Sequence, residues 1–413
     1  MLNSKGEREL CYVIRIDDVQ PIQGRDKVEC AIVGGWTCMV RKGQFKKGYL
    51  GIYFEIDSKL DTTKEVFKFT EKYDGKIKTQ KFSIKDENGN KVGQFWSQGL
   101  LMSAEDFGWE YVHSAYGDYI STHKGAGSAI EEGDFLTKEL GVTYVEAEDN
   151  KRKSSSSDKY KKMASRHQKL FSNSIIKKIY KNKYGKMILF LFLGRKTDKK
   201  SSFPSWVVKT DEERIQNLTH RISEFQKEEF IATEKIDGTS TTFTIKGNDY
   251  RVCSRNVVMT EKKDGGWYES NVYTEMSEKY NMKDVLKQLL KSNNNYEFVT
   301  IQGETYGQGV QKRDYNIKHH DLAVFNVIFG YKDKNVKRSN PIEMKELMDK
   351  YNIPTVPIID CHVNIPNNCK DILDMAGGKS IIDGGMREGI VFRNYDGTKS
   401  FKAVDNNFIT KYH

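Results

Sequence analysis

Apolar and polar positions alternate along much of the first third of the chain. The runs Cys11–Ile16, Val28–Val33, Thr37–Val40 and Gly48–Ile56 are short and either apolar or alternating, as strands with a buried face require. Turn formers separate them, as in Pro21-Ile22-Gln23-Gly24-Arg25-Asp26 and Gly34-Gly35. Short strands at this spacing predict a small barrel or sandwich over residues 8–140.

The pattern breaks over residues 145–200. Lys151-Arg152-Lys153 leads into four serines and then Lys159, Lys161 and Lys162, a flexible linker by composition. From Ser174 a helix is expected that mixes lysines with Ile175, Ile176, Ile179 and Tyr180, followed by the apolar run Met187–Leu193. A third region begins at Phe203-Pro204. Helical character is predicted for Asp211–Phe225, Glu343–Tyr351 and Asp371–Met375. Strands are predicted at Phe230–Thr233, Thr241–Ile245, Arg251–Ser254, Phe298–Gly303, Leu322–Phe329, Gly389–Arg393 and Lys399–Val404. The class is therefore α+β with mostly antiparallel sheet, not regular βαβ alternation. The expected division is a β-rich domain over 1–145, for which an OB-type barrel fits the length, a basic and partly helical linker or insert over 146–202, and an α+β domain over 203–413.

Charge changes this picture only locally. The chain carries +10, but residues 151–200 hold seventeen Lys or Arg against Asp158 and Asp198, so the remainder sums to −5. Three readings of that segment stay open: a solvated linker, a contact to RNA phosphates, or attachment to an anionic surface. Lys151-Arg152-Lys153 with Lys161-Lys162 also suits a nuclear signal. The polar start Met1–Leu10 and the shortness of Met187–Leu193 predict neither a signal peptide nor a membrane span. The six cysteines have no metal-binding spacing and are expected to be reduced, buried thiols. An intracellular protein, cytoplasmic or nuclear, is expected.

The chemistry starts at Glu234-Lys235-Ile236-Asp237-Gly238. A Lys-x-Asp-Gly string is weak by itself, since Lys72-Tyr73-Asp74-Gly75 and Lys262-Lys263-Asp264-Gly265 also match. An isolated match is usually a turn with an exposed lysine. Context separates the three. Lys72 and Lys262 lie in charged stretches, whereas Lys235 follows Phe230-Ile231-Ala232 and precedes the strand-like Thr239–Ile245. A lysine between apolar walls is expected to be desolvated, which lowers its pKa and yields a free amine nucleophile.

Downstream come Ser254-Arg255-Asn256, Gln302-Gly303-Glu304-Thr305-Tyr306-Gly307, Arg387-Glu388-Gly389-Ile390-Val391-Phe392-Arg393 and Ser400-Phe401-Lys402-Ala403-Val404. In this order they resemble the covalent nucleotidyltransferase superfamily of RNA ligases, DNA ligases and mRNA capping enzymes. The resemblance implies an antiparallel-sheet, ATP-grasp-like ligase domain. It implies Lys235 as the nucleophile that takes AMP from ATP, with Glu234 and Ile236 beside the nucleotide. Arg255 is implied near the ribose and phosphate, Glu304 at the ribose hydroxyls, and Lys402 at the α-phosphate. Glu388, with Asp237, is implied to hold Mg2+ or Mn2+ through water. Phe325 is a candidate for stacking on adenine, or else a core phenylalanine. Where some ligases carry a second lysine two positions after the last motif lysine, this chain has Val404. Either Lys402 serves both purposes, or Lys399 or a lysine from elsewhere assists.

Domain order narrows the resemblance. Only Val404–His413 follows the last motif, whereas a β-rich region precedes the nucleophile. Ile22-Gln23-Gly24-Arg25-Asp26, Gly35-Trp36, Lys42-Gly43-Gln44-Phe45, Tyr53-Phe54-Glu55-Ile56-Asp57 and Ser97-Gln98-Gly99-Leu100 are similar to the N-terminal OB domain of RNA ligase family 5. Lys209 through Asn217 resembles that family's entry into the ligase domain, which implies Lys209 and Arg214 near the triphosphate. The implied activity is ATP-dependent joining of RNA 3′-OH and 5′-phosphate ends at a nicked duplex, in RNA repair, by a monomer. The alternatives are a DNA or mixed-strand nick ligase and, from another class, a non-catalytic RNA-binding protein on a ligase fold.

Overall fold

The computed structural model describes residues 9–86, 88–114, 117–122, 129–144, 203–208, 212–255, 257–259 and 271–412, together with 176, 179, 180 and 182. Met1–Thr143 and Phe203–His413 make one compact unit and Tyr144–Ser202 a second. The helix expected from Ser174 and the run Met187–Leu193 fall almost wholly outside the described residues. No helix among the described residues is long and apolar enough to cross a membrane.

In the N-terminal part, strand β1 (Cys11–Arg15) pairs with β5 (Leu50–Phe54), and β5 pairs with β8 (Leu100–Met102). A second sheet joins β2 (Asp18–Pro21), β3 (Val28–Val33) and β4 (Trp36–Arg41). Strands β6 (Gln80–Lys85) and β7 (Lys91–Ser97) form a separate hairpin. β4 illustrates why these segments are strands: Trp36, Cys38 and Val40 are buried, while Thr37 and Met39 are half-buried and Arg41 is exposed. The inward residues meet Tyr12, Ile16, Ala31, Tyr53 and Leu101 in one core. The two sheets connect where the Asp17 N–H donates to Ile32 O and the Gln98 N–H donates to Thr37 O.

The C-terminal part has two antiparallel sheets. The order of the first is β12-β11-β10-β13-β14-β15, built from β10 (Thr239–Lys246), β11 (Asp249–Cys253), β12 (Val258–Met259), β13 (Tyr296–Gly307), β14 (His320–Tyr331) and β15 (Val336–Arg338). The order of the second is β16-β9-β17-β18, from β9 (Glu229–Lys235), β16 (Ile358–Asn364), β17 (Gly389–Asn394) and β18 (Ser400–Val404). On the apolar side of the first sheet, Phe243, Ile245, Val299 and Ile301 pack on helices α1 (Val272–Lys279) and α2 (Met282–Lys291), and α3 (Pro341–Asp349) adds Met344 and Met348. Behind the second sheet, Phe230, Ala232, Phe392 and Phe401 pack on α4 (Cys369–Ala376).

The expected helix over Asp211–Phe225 is not one. Its described part contains two single 3₁₀ turns, Ile215–Asn217 and Thr219–Arg221, and a four-residue α-turn, Ile222–Phe225. Tertiary bonds claim the carbonyls that a helix would need: Glu213 O accepts from the Lys402 N–H and Gln216 O from the Gly35 N–H. Four of the cysteines are buried and Cys361 and Cys369 half-buried, all as free thiols.

Glu212 ties the two C-terminal sheets together. Its carboxylate accepts from Arg338 on the first sheet and from Arg393 and Ser400 on the second. Arg393 Nη1 also donates to Phe325 O across the sheets (3.1 Å), and Arg338 Nε donates to Asn326 Oδ1 (2.6 Å). Burial alone would raise the Glu212 pKa, but the Arg338 and Arg393 guanidiniums and the Ser400 hydroxyl hold it at about 2. A depressed carboxylate stabilises the fold above its unfolded pKa, and that contribution is lost as pH falls toward the folded value. Thermal unfolding between pH 5 and pH 2 is therefore expected to show a steeper loss of Tm in the native chain than in Glu212→Gln, with Glu212→Gln the less stable at neutral pH. Parallel Tm curves would show that the carboxylate charge does not hold the sheets together.

Candidate active site

Lys235 is the last residue of β9 and lies opposite Gly389 on β17. Four residues later, at Thr239, the chain enters β10 of the other sheet. The tetrapeptide Lys235–Gly238 is thus the crossing between the sheets. Gly238 is required there because a Cβ would run into the Thr305 carbonyl oxygen of β13. Pleating sorts the side chains. Thr233, Val391 and Lys402 are in register across β9, β17 and β18 and share the face of Lys235. On the other sheet Glu304 is in register with Ser240 and Ala323.

Lys235 Nζ lies 2.6 Å from Glu388 Oε1, with the side chains 25% and 10% exposed. Burial would lower the lysine pKa, but Glu388, then Glu304 and Asp237, outweigh it and hold the amine above its ordinary value. This corrects the expectation of a lowered pKa: the apolar walls are present, but the convergent carboxylates win. Glu304 shows the converse. Burial pushes its carboxyl up to about 8; Lys235 and Arg255 oppose this, while Glu388 and Asp237 reinforce it. One amine therefore faces three carboxyl groups at the crossing, oxygen donors of the kind a divalent cation takes. Among the described residues no group of three or more His, Cys, Asp or Glu is placed to hold a metal ion directly.

A set of residues that the sequence reading missed holds the crossing in place. The Asp237 N–H donates to the Tyr315 hydroxyl (2.6 Å), and Gln311 Nε2 donates to Gly238 O (2.9 Å). Tyr315 is fully buried, with the Arg313 guanidinium 3.9 Å from its ring centroid. Arg313 in turn forks onto Asp383 at 3.0 and 2.6 Å. Arg387 donates to the carbonyls of Met375, Ala376 and Gly377 at the end of α4, which anchors the chain entering Glu388. The only signal was the density of polar residues in Gln311–Tyr315, which reads equally well as a surface loop.

The other expected residues divide. Glu234 is buried on the face of β9 opposite Lys235, where Oε2 accepts from the Ile381 N–H (2.7 Å). Ile236 joins the core of the first sheet. Arg255 is exposed but close enough to Glu304 to favour its charged form. Phe325 is half-buried at a β-bulge, where the β13–β14 register jumps between Gln302 and Gly303. The Lys402 backbone bridges to Arg214, whose guanidinium stands 5.9 Å from the centroid of the Trp36 ring in the N-terminal part. Lys399 is paired with Glu224 (3.1 Å) and Glu228. Val404 is buried opposite Gly389. Lys209 and Lys262 lie outside the described residues.

A family model for RNA ligase matches residues 228–413, and one for an OB-fold domain matches residues 10–104. No curated protein matches the chain by sequence. Among solved structures, a Naegleria gruberi RNA ligase carrying a lysine-to-methionine substitution, with AMP and Mn, is similar at TM-score 0.68 and 26% identity. The match covers 98% of this chain and 99% of that one. The same enzyme with PPi, and a lysine-to-alanine variant with ATP and Mn, match at the same TM-score, identity and coverage. The chain thus carries an RNA ligase domain at its C-terminal side, preceded by an OB-fold domain.

Proposed function

We propose that the chain is an ATP-dependent RNA ligase that joins 3′-OH and 5′-phosphate ends through AMP bound covalently to Lys235. The observation that carries this is the Lys235 amine, half-buried at the sheet crossing of an RNA ligase domain with Glu388, Glu304 and Asp237 around it. The solved structures it resembles include complexes with ATP, AMP, PPi and Mn.

In the first step Lys235 Nζ attacks the α-phosphorus of ATP and the bond to pyrophosphate breaks. The amine must shed a proton first, and Glu388 Oε1 is the acceptor in place at 2.6 Å. Lys402 faces the same side as Lys235 and stabilises negative charge on the phosphate. Glu304 receives the ribose hydroxyls, Arg255 lies near the ribose and phosphate, and Phe325 offers a ring to adenine. Asp237 and Glu388 would hold Mg2+ or Mn2+ through water, which lowers the charge barrier at the phosphate. AMP then passes to the RNA 5′-phosphate, and the 3′-OH attacks and releases it. We read the protein as a monomer acting in RNA repair, in the cytoplasm or nucleus, on nicked duplex. The charge of residues 151–200 supports a further contact of that segment with RNA phosphates or another anionic surface.

Two results are expected. With Mg2+ or Mn2+ and α-labelled ATP, the chain should retain acid-labile label after denaturation, and α-labelled GTP should give none. Lys235→Ala should reduce label to background while Lys72→Ala and Lys262→Ala keep it; no adduct with ATP would refute the activity. Second, Tyr315→Phe removes the acceptor for the buried Asp237 N–H, an omission worth about 1–3 kcal/mol. Single-turnover adduct formation should slow roughly ten-fold or more. A wild-type rate in a folded Tyr315→Phe protein would mean that the crossing does not depend on this bond.

A further inference from the structure

The string Lys72-Tyr73-Asp74-Gly75 takes no part in the site above. It ends the 3₁₀ helix Glu65–Tyr73 of the OB-fold part. Asp74 caps that helix in the left-handed conformation, with φ 55°, and its N–H reaches back to Glu71 O. Gly75 also has positive φ, and a Cβ there would strike the Leu60 carbonyl. The Asp-Gly pair is therefore a helix stop. It leaves Tyr73 50% and Phe69 55% exposed.

These two rings stand on a groove of about 340 Å³. Ile77 and Leu100 contribute its apolar lining, Lys72, Lys76 and Lys78 its charges, and no carboxylate lines it. Asp74, outside the lining, is paired with Lys59 (3.2 Å) and Lys76 (3.6 Å). Two aromatic faces beside three cations match the chemistry of unpaired nucleotides, whose bases stack and whose phosphates attract lysines. The groove also adjoins the ligase domain. Gly99 and Leu100 follow Gln98, whose Nε2 donates to Asn406 Oδ1 (2.9 Å), two residues past the strand that carries Lys402.

We propose that this groove binds a single-stranded stretch of the RNA substrate, with bases on Phe69 and Tyr73 and phosphates on the lysines. It rests on the reading of the chain as an RNA ligase and adds a site for unpaired nucleotides on the OB-fold part.

The test measures binding of a fluorescein-labelled single-stranded RNA oligonucleotide to the full chain by anisotropy, across a salt series. Each variant is first assayed for adduct formation with labelled ATP. Phe69→Ala with Tyr73→Ala is expected to weaken RNA binding roughly ten-fold or more, and Phe69→Tyr with Tyr73→Phe to restore it. Lys72→Ala with Lys76→Ala and Lys78→Ala is expected to lower the slope of log affinity against log salt by about 2. All variants should form the adduct at the wild-type rate, which also shows that they fold. Unchanged RNA affinity and salt slope in adduct-competent variants would overturn the groove as an RNA site while leaving the ligase reading intact. Absence of the adduct in the wild-type chain would instead refute the ligase reading.

Discussion

An ammonium group taken out of water must find a counter-charge, because an unpaired buried charge costs several kcal/mol. In this chain that partner is Glu388, 2.6 Å from Lys235 Nζ. The pair is set by register: β9 and β17 place Lys235 opposite Gly389, so the residue before Gly389 arrives beside the amine. Glu304 and Asp237 approach the same point from the other sheet and from the crossing. The amine is consequently held in its charged form in the nucleotide-free protein. On the proposed function, an amine in this state would be a nucleophile in store, and entry of the triphosphate would redistribute that charge.

The rest of the architecture keeps this point fixed. Glu212 bonds to arginines of both sheets, and Tyr315 with the Arg313–Asp383 pair holds the crossing from below. The OB-fold part is not merely tethered. Trp36 Nε1 donates to Asn217 Oδ1 (2.8 Å), and Asn217 Nδ2 donates to Glu55 Oε1 (3.0 Å). These bonds seat the segment whose Glu213 carbonyl accepts from the Lys402 backbone. A displacement of the OB-fold part would be felt at the strand that bears Lys402.

Much of this was legible in the sequence, for identifiable reasons. The short apolar run Phe230–Thr233 and the segment Thr241–Ile245, where Phe243 and Ile245 alternate with threonines, both lie inside observed strands. Lys235 is set apart from Lys72 by the contrast between apolar and charged flanks, by the motifs that follow in order, and by the β-rich region before it. Helices α1 and α2 passed unnoticed although Met282, Val285, Leu286 and Leu289 have helical spacing. The strand Ile358–Asn364 escaped although Ile359, Cys361 and Val363 alternate with Asp360, His362 and Asn364; it is a largely exposed edge with few strongly apolar residues. The charge state of Lys235 was misjudged because local sequence reports desolvation only. Glu304 and Glu388 are remote in the chain, and their combined field exists only after both sheets have formed. Tyr315 was invisible for a related reason: nothing in its neighbourhood signals a hydroxyl aimed at a backbone amide 78 residues away.

The central claim is that Lys235, and no other lysine, carries the nucleotide. Its most direct test is to incubate the full chain with ATP and Mg2+ or Mn2+, digest it, and map the AMP mass increment on peptides by mass spectrometry. The account predicts the increment on Lys235 alone. An increment on Lys72, Lys262 or Lys402, with Lys235 unmodified, would contradict it.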